Sequence, residues 1–464
     1  MQDIISFVNS NKDRYLSELK DFIAIPSVSS QKNHDPDMRR CAQWVSDHMR
    51  TVGMQNIQVF ETKGHPVVYS EWMGAPGKPT VLLYGHYDVQ PVDPLNLWTS
   101  PPFEATIRGD NLYARGTADD KGQVFIHLKA IEAYMKNGGS LPVNLKMIIE
   151  GEEEVGSPNL DDFVKGHKDL LKADLVLISD SSMYAKGVPS VCYGLRGLSY
   201  MEVEVTGPNR DLHSGSFGGS VHNPIQALSE MIASLHDRNG KITIPGFYKD
   251  VRPLTKPERS SFKKLPWNDK KYAKDLGVGQ LYGEKGFTSL ERLWARPTLE
   301  CNGIWGGYTG EGAKTVLPSK ASAKISMRIV PDQDSVSIAR LFEKHMKKIA
   351  PKTVKVEVRT LHGGEPAITP IDSPGVRAAV AALEKGFGKK PLYQMEGGSI
   401  PIVVQFKKIL GLDTVLLGFG LPDENAHAPD EFINLDNFFG GIRTSAHFYS
   451  ELPGYWSGGK KKRP

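Results

Sequence analysis

The sequence predicts an α/β protein: an αβα layer built on a mixed sheet, with a smaller α+β domain inserted into it. Three observations predict this. Short apolar runs recur at TVLLY (80–84), VNLKMII (143–149), DLVLI (174–178) and TVLLG (414–418), each the length of a buried strand. Helical periodicity lies between them, as alternating strands and helices require. Near Gly197 the style changes to strict apolar–polar alternation, in LSYMEVEVT (198–206) and ASAKISMRI (321–329), which is the pattern of half-exposed strands. The buried-run style returns after His362. The outer domain is therefore expected at 1–196 and 363–464, and the inserted one at 197–362.

Taken in order, residues 3–24 carry apolar side chains at helical spacing (Ile4, Ile5, Val8, Tyr15, Leu16, Leu19, Phe22, Ile23) and predict one amphipathic helix. A second helix is expected from Met38 to Val52, closed by Gly53. Segments 57–61 and 67–72 read as a strand pair, and 123–135 as a helix. Inside the insertion, helices are expected at 224–235 and 335–349 and a further strand at 354–359. Residues 247–300, rich in Lys, Pro and aromatics, predict short helices and loops. Helices at 373–387 and 402–410 flank a GGSIP turn.

Composition narrows the function classes. The chain has 464 residues, 24% charged and 39% hydrophobic, as in globular proteins, and its length suits more than one domain of about 100–200 residues. The net charge of +4 is small, and part of it sits in the tail at Lys460–Arg463, read as a solvated end. Nucleic acid is not an expected partner. Cys41, Cys192 and Cys301 are odd in number and far apart, so no disulfide framework is expected and a reducing, cytoplasmic setting is. The N-terminus does not read as a signal peptide. No run of about 18 apolar residues occurs, so no membrane span is expected.

The chemistry sits where the strands end. TVLLY runs into His86 and Asp88, VNLKMII into Glu150, Glu152, Glu153 and Glu154, and DLVLI into Asp180; His427 follows TVLLG. In open α/β sheets that edge is where ligands bind. Asp119 lies in a loop just before a helix. Singly, each has a plainer reading: a hydrogen-bonded loop histidine, an N-cap aspartate, a solvated acidic turn. Together they place carboxylates on an apolar sheet edge, where mutual repulsion and desolvation call for a cation. Histidines mixed with carboxylates suit Zn²⁺ or Mn²⁺ better than Ca²⁺, which prefers oxygen shells.

The strings His86-Tyr87-Asp88, GTADDKG (116–122), EGEEEVGS (150–157), Asp180 and GGSIP (397–401) resemble the co-catalytic di-zinc metallopeptidases, a family that includes aminoacylases, desuccinylases and carnosinase-type dipeptidases. The likeness covers nearly the whole chain. GLRG (194–197), DLHSGSFGGSVHNP (211–224), NGIWGGYTGEGAKTVLP (302–318) and SMRIVP (326–331) bring it nearest to the cytosolic non-specific dipeptidases. The resemblance implies two divalent ions per subunit, Zn²⁺ first and Mn²⁺ as the alternative. Asp119 would bridge them, His86 and Asp180 would hold one, and Glu154 and His427 the other. It also implies Glu153 as general base toward a metal-bridging hydroxide, Asp88 as the group orienting His86, and a cis Asp119–Asp120 peptide. His213 would supply an oxyanion donor from a partner subunit, with the insertion serving as lid and homodimer contact. The plainer reading of His213 is a loop histidine bonded to Asp211; His222, before Asn-Pro, fits a helix entry.

Arg328 could clamp a free carboxylate bidentately or form a surface ion pair. Thr315 and Ser399 match substrate-contacting positions of the dipeptidases. Gly397 and Gly398 would admit a ligand close to the backbone, or simply turn the chain. The expected activity is hydrolysis of small peptides with a free C-terminus. N-acyl-amino-acid deacylation is the alternative, disfavoured because dipeptidases of this family tend to carry Asp at position 180 and deacylases Glu. A non-catalytic scaffold is the third reading.

Overall fold

The computed structural model describes residues 1–398 and 400–456. The described residues divide into two compact units: residues 1–193, 369–394 and 402–456 belong to one, and residues 194–368 with the described part of 395–401 to the other.

The first unit is built on a mixed sheet. Its strands lie in the order Gln55–Phe60, Val67–Trp72, Asn144–Glu150, Thr80–His86, Leu175–Ile178, Thr414–Leu416, Ser190–Leu195. Thr80–His86 pairs in parallel with both Asn144–Glu150 and Leu175–Ile178, and Thr414–Leu416 in parallel with Leu175–Ile178. Val67–Trp72 runs antiparallel to Asn144–Glu150. The central strands are buried along their whole length, save Thr80. A strand apolar on both faces must be covered on both, and helices cover it. Lys121–Gly138 and Leu435–Trp456 both contribute to its core. Pro374–Phe387 packs so closely on Leu435–Trp456 that a Cβ at Gly386 would lie 2.0 Å from Thr444 Oγ1.

The single helix expected at 3–24 is two, Gln2–Ser10 and Lys12–Ile23. The break falls at Asn11, whose side-chain amide donates to Phe7 O at 2.8 Å, as Asn does when it competes with the helical ladder. Leu435–Trp456, absent from the sequence reading, is the longest helix among the described residues.

The second unit is an antiparallel sheet in the order Thr298–Gly306, Lys320–Ile329, Gly197–Thr206, Lys355–Gly364. Gly197–Thr206 alternates buried and half-buried residues along its length, as its sequence pattern requires. Pro224–Ala233 and Ser335–Ile349 pack on the buried face, closing a core of Met201, Val203, Ile325, Leu228 and Phe342. Segment 247–300 holds the short helices Lys256–Phe262, Asp269–Asp275 and Ser289–Ala295. The first and last are set by capping boxes at Thr255 and Thr288.

The unit boundary differs from the sequence reading at 194–196, 363–368 and 395–401, which group with the second unit. Ala367–Ile368 pairs with Leu195 and Gly194, and Arg196 donates from its backbone N to Glu396 O and from Nε to Gly397 O.

Candidate metal centre

Each acid and histidine of the site is placed by a strand end or by the loop beyond it. His86 is the last residue of Thr80–His86 and is fully buried. Glu153 and Glu154 open a 3-10 turn just past Asn144–Glu150. Asp180 follows Leu175–Ile178 by two residues. Asp119 precedes the Lys121–Gly138 helix, and the Asp119–Asp120 peptide is cis. His427, at φ 64°, sits in the loop after Thr414–Leu416.

These side chains meet in two groups, His86–Asp119–Asp180 and Asp119–Glu154–His427, with the ligand atoms of each within 4.8 Å of one another. Asp119 belongs to both, through different oxygens. Its Oδ1 lies 3.1 Å from His86 Nε2, and its Oδ2 2.8 Å from His427 Nε2. His86 Nε2 is 3.9 Å from Asp180 Oδ2, and His427 Nε2 is 3.2 Å from Glu154 Oε2. One carboxylate thus faces two imidazoles, each through a separate oxygen.

The donors fit divalent cations. His86 Nδ1 faces Asp88 O at 3.1 Å and Asp88 Oδ1 at 3.3 Å, so a proton held there leaves the Nε2 lone pair for a cation. Nε2 is buried, and its approach to Asp119 is off the hydrogen-bonding direction. It has no hydrogen-bond partner among the described residues. Asp88, itself fully buried, accepts from Glu153 N at 3.2 Å and Glu154 N at 3.1 Å. It therefore ties the His86 strand end to the Glu153–Glu154 turn. Gln90 Nε2 donates to Glu154 Oε2 at 2.7 Å.

The electrostatics carry the signature of crowded acids. Burial pushes the Glu153 carboxyl up to about 9; His86 opposes this, while Asp180, Asp119 and Glu154 add to it. Burial likewise holds Asp120 well above the carboxylate range. Burial would raise Asp119 too, but the hydrogen-bonded His427 and the adjacent His86 imidazole bring it below its ordinary value. Hydrogen bonds to Asp119 and Glu154 raise His427 to about 10.

The other expected site residues that are described, His213, Thr315 and Arg328, lie in the second unit. His213 caps the short helix Ser214–Phe217: its Nδ1 accepts from Gly215 N at 3.0 Å and Ser216 N at 3.3 Å. Asp211 accepts from Ser319 N, at 2.8 Å. With Nδ1 an acceptor, the ring proton resides on Nε2, which is then a donor. Thr315 is its neighbour, since Ser214 N donates to Thr315 O at 3.0 Å. His222 Nδ1 lies 2.7 Å from Thr353 Oγ1, next to Asn223, which caps Pro224–Ala233. Arg328 lines a cavity of about 510 Å³ together with Arg196, Tyr282 and Glu300. Ser399 and the basic tail fall outside the described residues.

Sequence reasoning missed three residues that the structure makes prominent. Arg196 is buried beside Arg328, and burial together with that neighbour lowers its guanidinium to about 10. Arg115 and Glu431 form a buried ion pair of 2.7 Å behind the Asp119 loop. No local pattern marks either feature, because the partners are distant in sequence.

A mixed αβα sheet whose strand ends present paired histidine–carboxylate groups sharing one aspartate defines a metallohydrolase. The description of peptidase family M20/M25/M40 matches residues 82–451, and the chain belongs to that family. It is 34% identical to the Cys-Gly metallodipeptidase dug1 of Schizosaccharomyces pombe, over 97% of this chain and 98% of that protein. It is 32% identical to the Beta-Ala-His dipeptidase of Homo sapiens, over 97% of this chain and 92% of that protein. Among solved structures, the di-peptidase Dug1p of Saccharomyces cerevisiae superposes with a TM-score of 0.79 at 32% identity, covering 99% of each chain. The metallo-carboxypeptidase Sso-CP2 of Sulfolobus solfataricus gives a TM-score of 0.81 at 35% identity, covering 95% of this chain and 99% of that one. Divalent metal dependence follows from the family. No helix among the described residues is long and apolar enough to cross a membrane.

Proposed function

We propose that this chain is a cytoplasmic metal-dependent dipeptidase that hydrolyses the peptide bond of small peptides with a free C-terminal carboxylate. The observation that carries the reading is the sharing of Asp119 between two histidine–carboxylate groups with the half-buried Glu153 beside them. The dipeptidase names of the relatives support the substrate class. His86 and Asp180 are assigned to one ion and Glu154 and His427 to the other, Zn²⁺ first and Mn²⁺ second. Divalent ions held there supply an acidified water and a polarised carbonyl.

The chain's own residues do the rest. Glu153 takes a proton from the attacking water and passes it to the leaving amine. Its high proton affinity without a cation fits that task, since a neighbouring dication draws such a carboxyl back toward the working range. Asp88 holds His86 in the ligand tautomer. His213, whose Nε2–H is a donor, is assigned to the carbonyl oxygen in a partner subunit's site as charge develops there. Arg328 is assigned to the substrate carboxylate, with Thr315 and Ser399 as further contacts. The second unit is assigned as lid and homodimer contact.

The test is a panel of dipeptides, their C-terminal amides and N-acetyl amino acids, run on metal-reconstituted protein and on Glu153→Gln. The parent should prefer free dipeptides, and the variant should lose about 10²–10⁴-fold in kcat. Turnover of N-acetyl amino acids ahead of dipeptides would instead favour a deacylase. An unchanged Glu153→Gln rate would remove the general base.

A further inference from the structure

The loop that carries Asp119 is held from outside as well as by its own bonds, such as Thr117 Oγ1 to Ala114 O and Gly122 N to Gly116 O. The backbone N–H groups of Gly116, Ala118 and Asp119 all point at one oxygen, Oε1 of Glu431, at 3.0, 2.9 and 3.2 Å. The other oxygen, Oε2, accepts from Arg115 Nη1 at 2.7 Å, and the Glu431 backbone oxygen accepts from Ala114 N at 3.0 Å. Glu431 is fully buried and Arg115 nearly so. Amides of one loop turned inward form an anion-binding nest, and here the anion is a side chain more than 300 residues along the chain.

That side chain lies four residues past His427. The chain between turns sharply: Asn425, His427 and Asp430 all have positive φ. The Glu431 carboxylate therefore fastens the His427 loop to the Asp119 loop, whose side chains meet at 2.8 Å. We propose that Glu431 is a positioning residue for the metal centre: by filling the nest behind Asp119 it sets the bridging carboxylate against His427 before any ion arrives. The proposal rests on the assignment of Asp119 and His427 as ligands.

An ionised carboxylate is needed for this. It accepts from three amides on one oxygen and from a guanidinium on the other, and both oxygens face only donors. A glutamine in the same place keeps one acceptor and sets an NH₂ group against either Arg115 or the amides. Aspartate keeps the charge, yet its carboxylate is drawn back by one carbon–carbon bond, about 1.5 Å, and cannot reach all four donors.

The test measures metal affinity, apart from turnover. Metal-stripped parent, Glu431→Gln, Glu431→Asp and Asp430→Asn are titrated with Zn²⁺ against a chromophoric chelator, well below each protein's unfolding midpoint. Asp430 is the control within the same loop: its carboxylate accepts from Thr99 N and Oγ1 and pairs with Arg108, outside the nest. Both Glu431 variants should lose about 10–100-fold in affinity, as residues supporting metal ligands typically do, while Asp430→Asn keeps the parent's affinity. Should Glu431→Gln fail to fold, Glu431→Asp decides by the same criterion. Parent-like affinity in the Glu431 variants overturns the proposal, as does an equal loss in Asp430→Asn. If the parent itself binds no Zn²⁺, the ligand assignment fails instead.

Discussion

Replacing Asp88 by Asn should damage both the fold behind the metal centre and the centre itself. Each Asp88 oxygen has its own amide: Oδ1 accepts from Glu153 N at 3.2 Å and Oδ2 from Glu154 N at 3.1 Å. Oδ1 also lies 3.3 Å from His86 Nδ1. Asn is nearly isosteric but has a single carbonyl oxygen. Its NH₂ group must face one of the two amides, leaving a buried donor unpaired. Hydrogen bonds to a charged group are worth about 1.5–3 kcal/mol, and an unpaired buried donor costs about 1–3 kcal/mol. The two figures describe overlapping losses, so the expected destabilisation of the metal-free protein is about 2–3 kcal/mol. Loss of the anchor for His86 should also weaken metal binding by about 10–100-fold. Urea unfolding of stripped protein reads the first effect and chelator competition the second. Parent-like values in both assays would refute the view that Asp88 joins the His86 strand end to the Glu153–Glu154 turn.

A Cβ at Gly122 would lie 1.9 Å from Thr117 O, a backbone atom that cannot swing aside, so Gly122→Ala should distort the Asp119 loop. Loss of soluble expression or a clear drop in Tm is expected, and a parent-like Tm counts against it. His127 is buried, with Ser179 Oγ at 2.7 Å and Tyr449 OH at 3.1 Å from its ring nitrogens, and burial lowers its pKa from 6.5 to about 3. Its folded pKa is depressed, so the unfolded chain binds the extra proton. The contribution is therefore complete above about pH 6.5 and is lost as pH falls toward 3, by about 2 kcal/mol between pH 6.5 and 5. His127→Gln should flatten that part of the stability-versus-pH curve measured by denaturant unfolding. An unaltered slope would show that His127 is not the group responsible.

Much of this was legible because of where burial is two-sided. Thr80–His86, Asn144–Glu150 and Leu175–Ile178 are apolar on both faces, so their runs stand out, and the polar residues that end them mark the site edge. Alternation made Gly197–Thr206 and Lys320–Ile329 equally plain. Leu435–Trp456 was hidden for a physical reason. It contains Gly440, Gly441 and Pro453, residues with poor helix propensity. Yet the two glycines permit close approach of Phe387 and Phe419, so tertiary packing sustains a helix that local preference does not announce. Glu431 was hidden by distance: its four donors to the side chain lie 312–316 residues away. Arg196 was hidden in the same way, since only the folded second unit sets it beside Arg328.

The most direct measurement is a metal titration of stripped protein, with ions bound per chain counted by native mass spectrometry while dipeptide hydrolysis is followed in parallel. Two ions per chain should bind, with hydrolysis appearing as the cluster fills. Asp119→Ala, which removes the ligand shared by both groups, should abolish the paired occupancy and the activity together. Full activity without bound metal, or an Asp119→Ala protein that keeps two ions and the parent rate, would contradict the assignment of a shared-carboxylate metal centre.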